Sequence, residues 1–255
     1  MIARSFWRQV YFLTRASLKA RYRNTLGGFL WVVINPLAMY GVQSLVFKTF
    51  LKLEIPNYYL FLLAGLLPWI FVSMSLRMSV PIFEERRSLL KSFKLSPLVL
   101  IYTQIFDNLI NFVLPFTFLT LALLVFGGGI SWQAFVFSPF AMLALVFGIF
   151  PLCWILSILQ IFYKDVRFIV EFVLSFLFFL TPIFYPRDFI PHDFQFIVDF
   201  NLIYILIEPF FYSLYHFELV PFLWSLLKAF FAGGVLYGVA IILWRRKRNE
   251  FYLQL

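Results

Sequence analysis

Four polar side chains stand at helical spacing inside a stretch of sequence that is otherwise apolar. They follow the i, i+3, i+4, i+7 pattern of one helix face: Gln104, Asp107, Asn108 and Asn111. Because hydrocarbon makes polar groups costly, this polar face cannot point at lipid. It either lines a water-filled path or hydrogen-bonds to a neighbouring helix or to the basic N-terminal segment. We favour the structural alternative, since no second mid-membrane carboxylate is aligned with it.

Glu208 and Lys228 are the other candidates for a buried pair, although the long Lys228 side chain could instead extend to the membrane surface. The sequence lacks a GxxxxGK[ST] phosphate loop, an HExxH motif and a Cys/His cluster. Cys153 is the single cysteine, and His192 and His216 are isolated. We therefore predict no catalytic residue, no metal site and no cofactor in this chain. Energy for active transport must come from another chain or an ion gradient.

Composition indicates the elements that must position these groups. Of the 255 residues 63% are hydrophobic and 13% are charged, with a mean hydropathy of +0.91. Soluble chains are nearer half apolar and a quarter charged, so we predict an all-α integral membrane protein. A spanning helix needs roughly 20 apolar residues. We predict one transmembrane domain over 1–255 with six spans, at 27–51, 58–79, 98–126, 134–162, 168–185 and 220–244.

The placement of positive charge predicts the orientation. The N-terminal segment, the 77–94 region, the 164–167 loop and the C-terminal tail hold 17 of the 21 Lys and Arg residues. These segments alternate onto one side of the membrane, which the positive-inside rule assigns to the cytoplasm. We expect a multi-pass protein of the bacterial inner membrane with both termini cytoplasmic. The same placement argues against a nucleic-acid partner, despite the net charge of +9.

Residues 1–23 form a predicted amphipathic helix. At 100° per residue its basic side chains fall within an arc of about 100°, and they are Arg4, Arg8, Arg15, Lys19 and Arg23. Arg21 and Phe12 break the pattern. A basic, aromatic helix of this kind lies along the membrane surface and touches anionic lipid headgroups. A helix that merely orients the first span fits equally well.

The segment EERRSLLKSFK at 84–94 is predicted to be a short cytoplasmic docking helix. Leu89, Leu90 and Phe93 stand at helical spacing among charges, which is unusual for a solvated loop without a partner. The stretch 186–219 is rich in proline and acids, and its apolar pieces are too short to span. We expect it to form one or two short re-entrant helices on the external side, between spans five and six.

The aromatic content allows two explanations. The chain has 37 Phe, 13 Tyr and 7 Trp residues, which is 22% of the total. Aromatic residues form interfacial belts and pack against lipid. The excess also fits a conduit whose walls stack on sugar rings, and composition does not separate these explanations.

Three segments together resemble a known family. They are RASLKARYRNTLGGFLWVVINPL at 15–37, the docking segment at 84–94, and YKDVRFIVEFVLSFLFFLTPIFYP at 163–186. Their order is similar to that of ABC-2 type (type V) permeases that export polysaccharides, the subfamily of the O-antigen, capsule and teichoic acid exporters. Two positions depart from that pattern. Lys164 stands where the family usually has Arg, and Asn201-Leu202 replaces a frequent Asn-Pro.

The resemblance implies a homodimeric pore with two separate ATPase subunits, which would bind ATP and Mg. The substrate would be an undecaprenyl-linked polysaccharide. Contact with the ATPase would come from Glu84, Glu85, Arg86, Arg87, Leu89, Leu90 and Phe93. The interface or gate helix would use Arg15, Lys19, Arg21, Tyr22 and Arg23. Aromatic residues expected along the substrate path are Trp31, Tyr40, Phe184 and Tyr185.

Two alternatives remain from the sequence. An ABC-2 permease for a small hydrophobic drug would share the fold. An integral-membrane enzyme acting on lipid-linked sugars would use external acids such as Asp188, Asp193 and Asp199, which lack a metal-type motif.

Overall fold

The computed structural model describes residues 2–23, 30–52, 54–93, 95–126 and 129–254. Over these ranges the chain is helical and has no β-strand, which confirms the predicted all-α class. The elements are α1 (Ile2–Tyr22), α2 (Trp31–Ser44, continued by a π-helical turn at Leu45–Phe50), α3 (Tyr58–Ser79), α4 (Ile82–Glu85), α5 (Arg87–Phe93), α6 (Pro97–Val125), α7 (Trp132–Phe162), α8 (Val166–Leu180), two 3-10 turns (Arg187–Phe189 and His192–Phe194), α9 (Gln195–Asp199), α10 (Leu202–Phe210, continued by a π-helical turn at Phe211–Tyr215) and α11 (Leu219–Gln254).

Among the described residues, four helices are long and apolar enough to cross a membrane: α3, α6, α7 and α11. A fifth crossing is formed if the bent pair His192–Asp199 and Leu202–Tyr215, which meet at 88°, is one broken span. Helix α8 has 15 residues and ends at Leu180, five residues before the end of the predicted fifth span. The chain is thus an integral membrane protein, while the count of six spans and the re-entrant helices stay predictions.

Helix α3 is the central element of the bundle. It is apolar on every side, and nearly all of its side chains from Tyr58 to Val72 are buried. A helix that is hydrophobic all round either faces lipid or is enclosed by other elements, and the burial of α3 shows that it is enclosed. Helices α2, α6, α7 and α10 pack against it. By contrast, α11 exposes many large apolar side chains, as expected for a helix that faces lipid.

Small residues allow two close backbone contacts. A Cβ atom on Gly233 of α11 would lie 3.2 Å from the Cα atom of Gly148 in α7. A Cβ atom on Gly65 of α3 would lie 2.9 Å from the Ile183 carbonyl oxygen. Since larger side chains would force these segments apart, glycine is required at both contacts.

The docking segment differs from the single helix that the sequence predicts. The backbone of Arg86 has φ −104° and ψ 22°, which is outside the helical region. This residue therefore separates α4, which holds Glu84 and Glu85, from α5, which begins at Arg87. Lys94, the last residue of the predicted helix, lies outside the described residues. Residues 26–28 of the first resembling segment also lie outside them.

Candidate functional site: paired charges at the two ends of the bundle

An ion pair between α1 and α6 joins the basic helix to the bundle. The Arg21 guanidinium donates a hydrogen bond to the Asp107 carboxylate, and its other contact is the Met78 sulfur at 3.7 Å. Asp107 is fully buried. Arg15 and Lys19 are exposed on α1. Arg21 departs from the basic arc of the sequence because it turns inward to reach this carboxylate.

The other members of the polar face bind within the bundle. Gln104 Nε2 donates to Asn108 Oδ1 at 3.2 Å, and Asn108 Nδ2 donates to Ser75 Oγ of α3 at 3.3 Å. Asn111 Nδ2 donates to the Asp107 backbone carbonyl at 3.0 Å. Asn108 and Asn111 also line a cavity of about 80 Å³ between α2, α3 and α6. The face thus joins α6 to α1 and α3, which is the structural alternative that the sequence favours.

Helices α1, α4, α5 and α6 surround a second cavity of about 220 Å³ at the same end of the bundle, which we call the α1 end. Leu89 of α5 lines it together with Arg86, and Leu90 is buried beside it. Phe93 is 68% exposed. Of the three apolar residues predicted to dock a partner, two therefore hold α5 on the bundle and one is available to a partner.

Gln160, near the end of α7, connects two of these elements and was not singled out from the sequence. Its Nε2 donates to Glu84 Oε2 of α4 at 3.2 Å. Its Oε1 accepts the backbone N–H of Arg167, in the first turn of α8, at 2.9 Å. A single polar residue in the last turns of an apolar helix is the signal that could have found it. Through Gln160, a displacement of α4 reaches α8.

The other residues predicted for the gate helix and the substrate path are dispersed. Arg23 is exposed, and the side chain of Tyr22 lies outside the described residues. Trp31 is half exposed at the start of α2, and the buried Tyr40 donates its hydroxyl to the Tyr59 carbonyl at 2.8 Å.

The two path residues after α8 are held within the chain. Phe184 is buried and stacks on Phe47 with ring centroids 4.8 Å apart. Tyr185 donates its hydroxyl to the Phe179 carbonyl at 2.7 Å. Phe184 and Tyr40 therefore cannot contact a substrate in this conformation, because neighbouring residues of the same chain cover them.

At the opposite end, the Glu208 carboxylate of α10 is buried and accepts a hydrogen bond from Lys228 Nζ of α11 at 3.1 Å. This is the pair that the sequence named. Asn201, noted in the sequence as a departure, caps α10. Its Oδ1 accepts the backbone N–H groups of Ile203 and Tyr204, and its Nδ2 donates to Thr181 Oγ1 at 2.8 Å.

The acids named for an enzyme are not gathered into a reaction centre. Asp199 is paired with Arg187 at 2.7 Å, while Asp188 and Asp193 are exposed. No group of three or more His, Cys, Asp or Glu side chains among the described residues could hold a metal ion.

The described part of the chain is thus an apolar helical bundle in which the buried carboxylates, Asp107 and Glu208, are paired within the chain. The family model described as ABC-2 type transporter matches residues 8–215. The chain belongs to this family, which confirms the resemblance seen in the sequence. Its members are the membrane subunits of transporters and not enzymes.

Two relatives narrow the class. The chain is 33% identical over 174 residues to the O-antigen export system permease protein RfbA of Myxococcus xanthus, covering 68% of this chain and 66% of that protein. It is 29% identical over 191 residues to the O-antigen export system permease protein RfbA of Klebsiella pneumoniae, and the match covers 74% of this chain and 73% of that protein. The chain thus spans just under two thirds of the first relative. It is an ABC-2 permease similar to O-antigen export permeases.

Proposed function

We propose that this chain is the permease subunit of an ABC exporter that moves a lipid-linked polysaccharide of the O-antigen type across the bacterial inner membrane. The observation that carries the proposal is the 33% identity to an O-antigen export permease over 174 residues. ATP and Mg would be bound by a separate ATPase subunit. Both termini would lie in the cytoplasm, as the distribution of Lys and Arg predicts.

The proposed assembly contains two copies of this chain, two ATPase subunits and a polymer carried on undecaprenyl lipid. One face of α8 supports the contact between copies. Its large apolar side chains are exposed in the single chain and stand at helical spacing: Phe168, Ile169, Phe172, Val173, Phe176 and Phe179.

The contacts at the α1 end suggest how the ATPase would act on the permease. The exposed Phe93 ring and the exposed charges of α4 and α5 provide the docking surface. Movement of α4 would reach α7 and α8 through Gln160, and movement of α1 would reach α6 through Arg21 and Asp107. Docking at one end would thus displace the helices that border the proposed path.

The proposal is tested with the purified chain, alone and in complex with its partner ATPase. The chain alone should hydrolyse no ATP, and the complex should show turnover that lipid-linked polymer stimulates. A deletion strain should accumulate that polymer on the cytoplasmic side. ATPase turnover by the chain alone would contradict the proposal. Stimulation by small hydrophobic drugs, with no effect of the polymer, would support a drug permease instead.

A further inference from the structure

An apolar groove runs along the surface of the bundle between α6 and α7, and the transport proposal does not use it. Its volume is about 430 Å³. Ile105, Leu109 and Val113 of α6 form one wall, and Leu143 and Val146 of α7 belong to the other. Every one of these side chains is a hydrocarbon, so the groove suits a hydrocarbon ligand.

Aromatic rings close the groove at the α1 end. The rings of Tyr102 and Phe150 are 4.2 Å apart, and Phe150 stacks on Tyr237 of α11 at 5.6 Å. Trp7 of α1 lies against Tyr102 and Phe106, with ring centroids 5.3 and 6.2 Å apart. Because Trp and Tyr collect at the level of lipid headgroups, this end of the groove lies at the membrane surface.

The length of the groove matches one leaflet. From Tyr102 to Val113 the helix rises by about 16 Å, at 1.5 Å per residue. Half of a hydrocarbon core that is about 30 Å thick is about 15 Å. The groove therefore reaches from the surface on the α1 side to the middle of the bilayer.

A single hydrocarbon chain can follow the groove, which offers about 430 Å³ along this length.

The charge beside the mouth indicates the headgroup. Arg8 directly follows Trp7 on α1 and is exposed, as are Arg15 and Lys19. Basic residues on a surface helix attract anionic headgroups. We propose that the groove binds one acyl chain of an anionic phospholipid from the leaflet on the α1 side, with the headgroup held by Arg8 of α1.

The bound phospholipid would hold α1 against α6 at a point distant from the Arg21–Asp107 pair. Trp7 and Arg21 are fourteen residues apart on α1, which is about 21 Å of helix. The lipid would thus fix one end of α1 and the ion pair the other. In a membrane without anionic lipid, the N-terminal half of α1 would keep its ring contacts with Tyr102 and lose the additional attachment through the lipid.

The test measures phospholipids that remain with the full chain, in complex with its ATPase, after detergent washing. Lipid extracts are quantified by mass spectrometry. The unaltered chain should retain one anionic phospholipid per copy. Val113→Trp combined with Val146→Trp fills the groove and should lower retention at least about tenfold, which equals the loss of about two buried methylene groups. Leu121→Trp, on the exposed side of α6 outside the groove, should retain the lipid.

Arg8→Gln tests the headgroup. It should remove the preference for phosphatidylglycerol over phosphatidylcholine while one phospholipid is still retained. Equal retention by the filled variant and the unaltered chain would overturn the groove as the site. Recovery of a polyprenyl lipid in place of a phospholipid would overturn the proposed ligand.

A second measurement uses the unaltered chain and so does not depend on how the variants fold. Phosphatidylglycerol with a photoreactive acyl chain is incorporated into nanodiscs with the complex, and labelled peptides are mapped. Labels should concentrate on 105–113 and 142–150. Labels spread evenly over exposed residues of α11 such as Leu227 would contradict the proposal. Transport is not measured, so failure here leaves the proposed function unaffected.

Discussion

At the α1 end, Arg21 reaches from a surface helix to a carboxylate that is fully buried in α6, whereas at the opposite end the buried Glu208 is paired with a lysine that is half exposed. The exposed fractions of the side chains are 21% and 0% for Arg21 and Asp107, and 52% and 6% for Lys228 and Glu208. Each pair attaches another helix to one of the long apolar helices, α1 to α6 and α10 to α11. They differ in how much of the cation is removed from solvent.

This difference indicates which end of the bundle is held firmly by its ion pair and which end can open. Breaking a buried pair leaves an uncompensated charge in a medium of low dielectric, so the remaining partner is strongly disfavoured. Lys228 can release Glu208 and keep its own ammonium group solvated, because its long stem lets the head reach the surface. The attachment of α1 should therefore be the more permanent of the two. In a third pair, Arg77–Glu171, the two side chains are 43% and 44% exposed, so neither charge is buried.

The largest effect is expected for Arg21→Met. The substitution leaves the Asp107 carboxylate buried without its cation, which should lower the free energy of unfolding by about 3–5 kcal/mol. Thermal unfolding of the purified complex measures the loss. The matched control is Arg21→Met combined with Asp107→Leu, which removes both charges and should recover most of the stability. A double variant as unstable as the single one would show that the pair itself is not the cause.

A smaller loss is expected for Lys228→Met. Glu208 loses its hydrogen-bond donor, but the site is nearer to solvent, so the cost should be about 1–3 kcal/mol. Glu208→Gln is the matched control, because an amide keeps the shape and no longer needs a cation. The same unfolding measurement applies. If Lys228→Met is as damaging as Arg21→Met, exposure of the cation does not decide the strength of the attachment.

The exposed Arg77–Glu171 pair should contribute little. Replacing Glu171 by Gln should change the free energy of unfolding by less than about 1 kcal/mol, since exposed ion pairs are screened by solvent and salt. The effect should vanish in concentrated salt, whereas that of Arg21→Met should persist. A large, salt-independent effect at Glu171 would mean that this pair is covered in the assembled transporter.

The smallest effect on stability, with a large effect on activity, is expected for Phe93→Ser. This ring is exposed, so the free energy of unfolding should change by no more than about 0.5 kcal/mol, while ATPase turnover in the complex should no longer respond to the transported polymer. Leu90→Ser is the contrast, because it places a hydroxyl in a buried site and should destabilise α5 itself. Unchanged coupling in Phe93→Ser would remove this surface from the docking interface.

The sequence predicted the parts of this architecture that depend on periodicity and on the cost of charge in lipid. The i, i+3, i+4, i+7 spacing placed Asp107 on one face of a helix, and hydrocarbon excluded that face from lipid. The position of Arg21 outside the basic arc was visible in the sequence, but its partner was not. Helical periodicity gives the direction in which a side chain points around the axis of its helix. It carries no information about where two helices cross.

Other features depend on contacts between segments that are far apart in the chain. Gln160 joins Glu84 to the first turn of α8 only after α7 has been packed beside both. Phe184 looked available for a substrate by its aromatic type, yet Phe47 of a distant segment covers it. The non-helical backbone of Arg86 divides a segment whose composition favours one continuous helix. Aromatic type and helix propensity do not determine these outcomes, because tertiary packing decides them.

The contact between Gly148 and Gly233 limits how the protein can move. Since a Cβ atom on Gly233 would lie 3.2 Å from the Cα atom of Gly148, α7 and α11 pack closely there and leave no room for a side chain between them. Any widening of the molecule must then occur where such contact is missing. Helix α2, with Pro36 in its interior and a π-helical turn at its end, has fewer backbone constraints and can bend. A pair of glycines on the far side of the bundle would thus direct the motion of a transport cycle towards the proposed path.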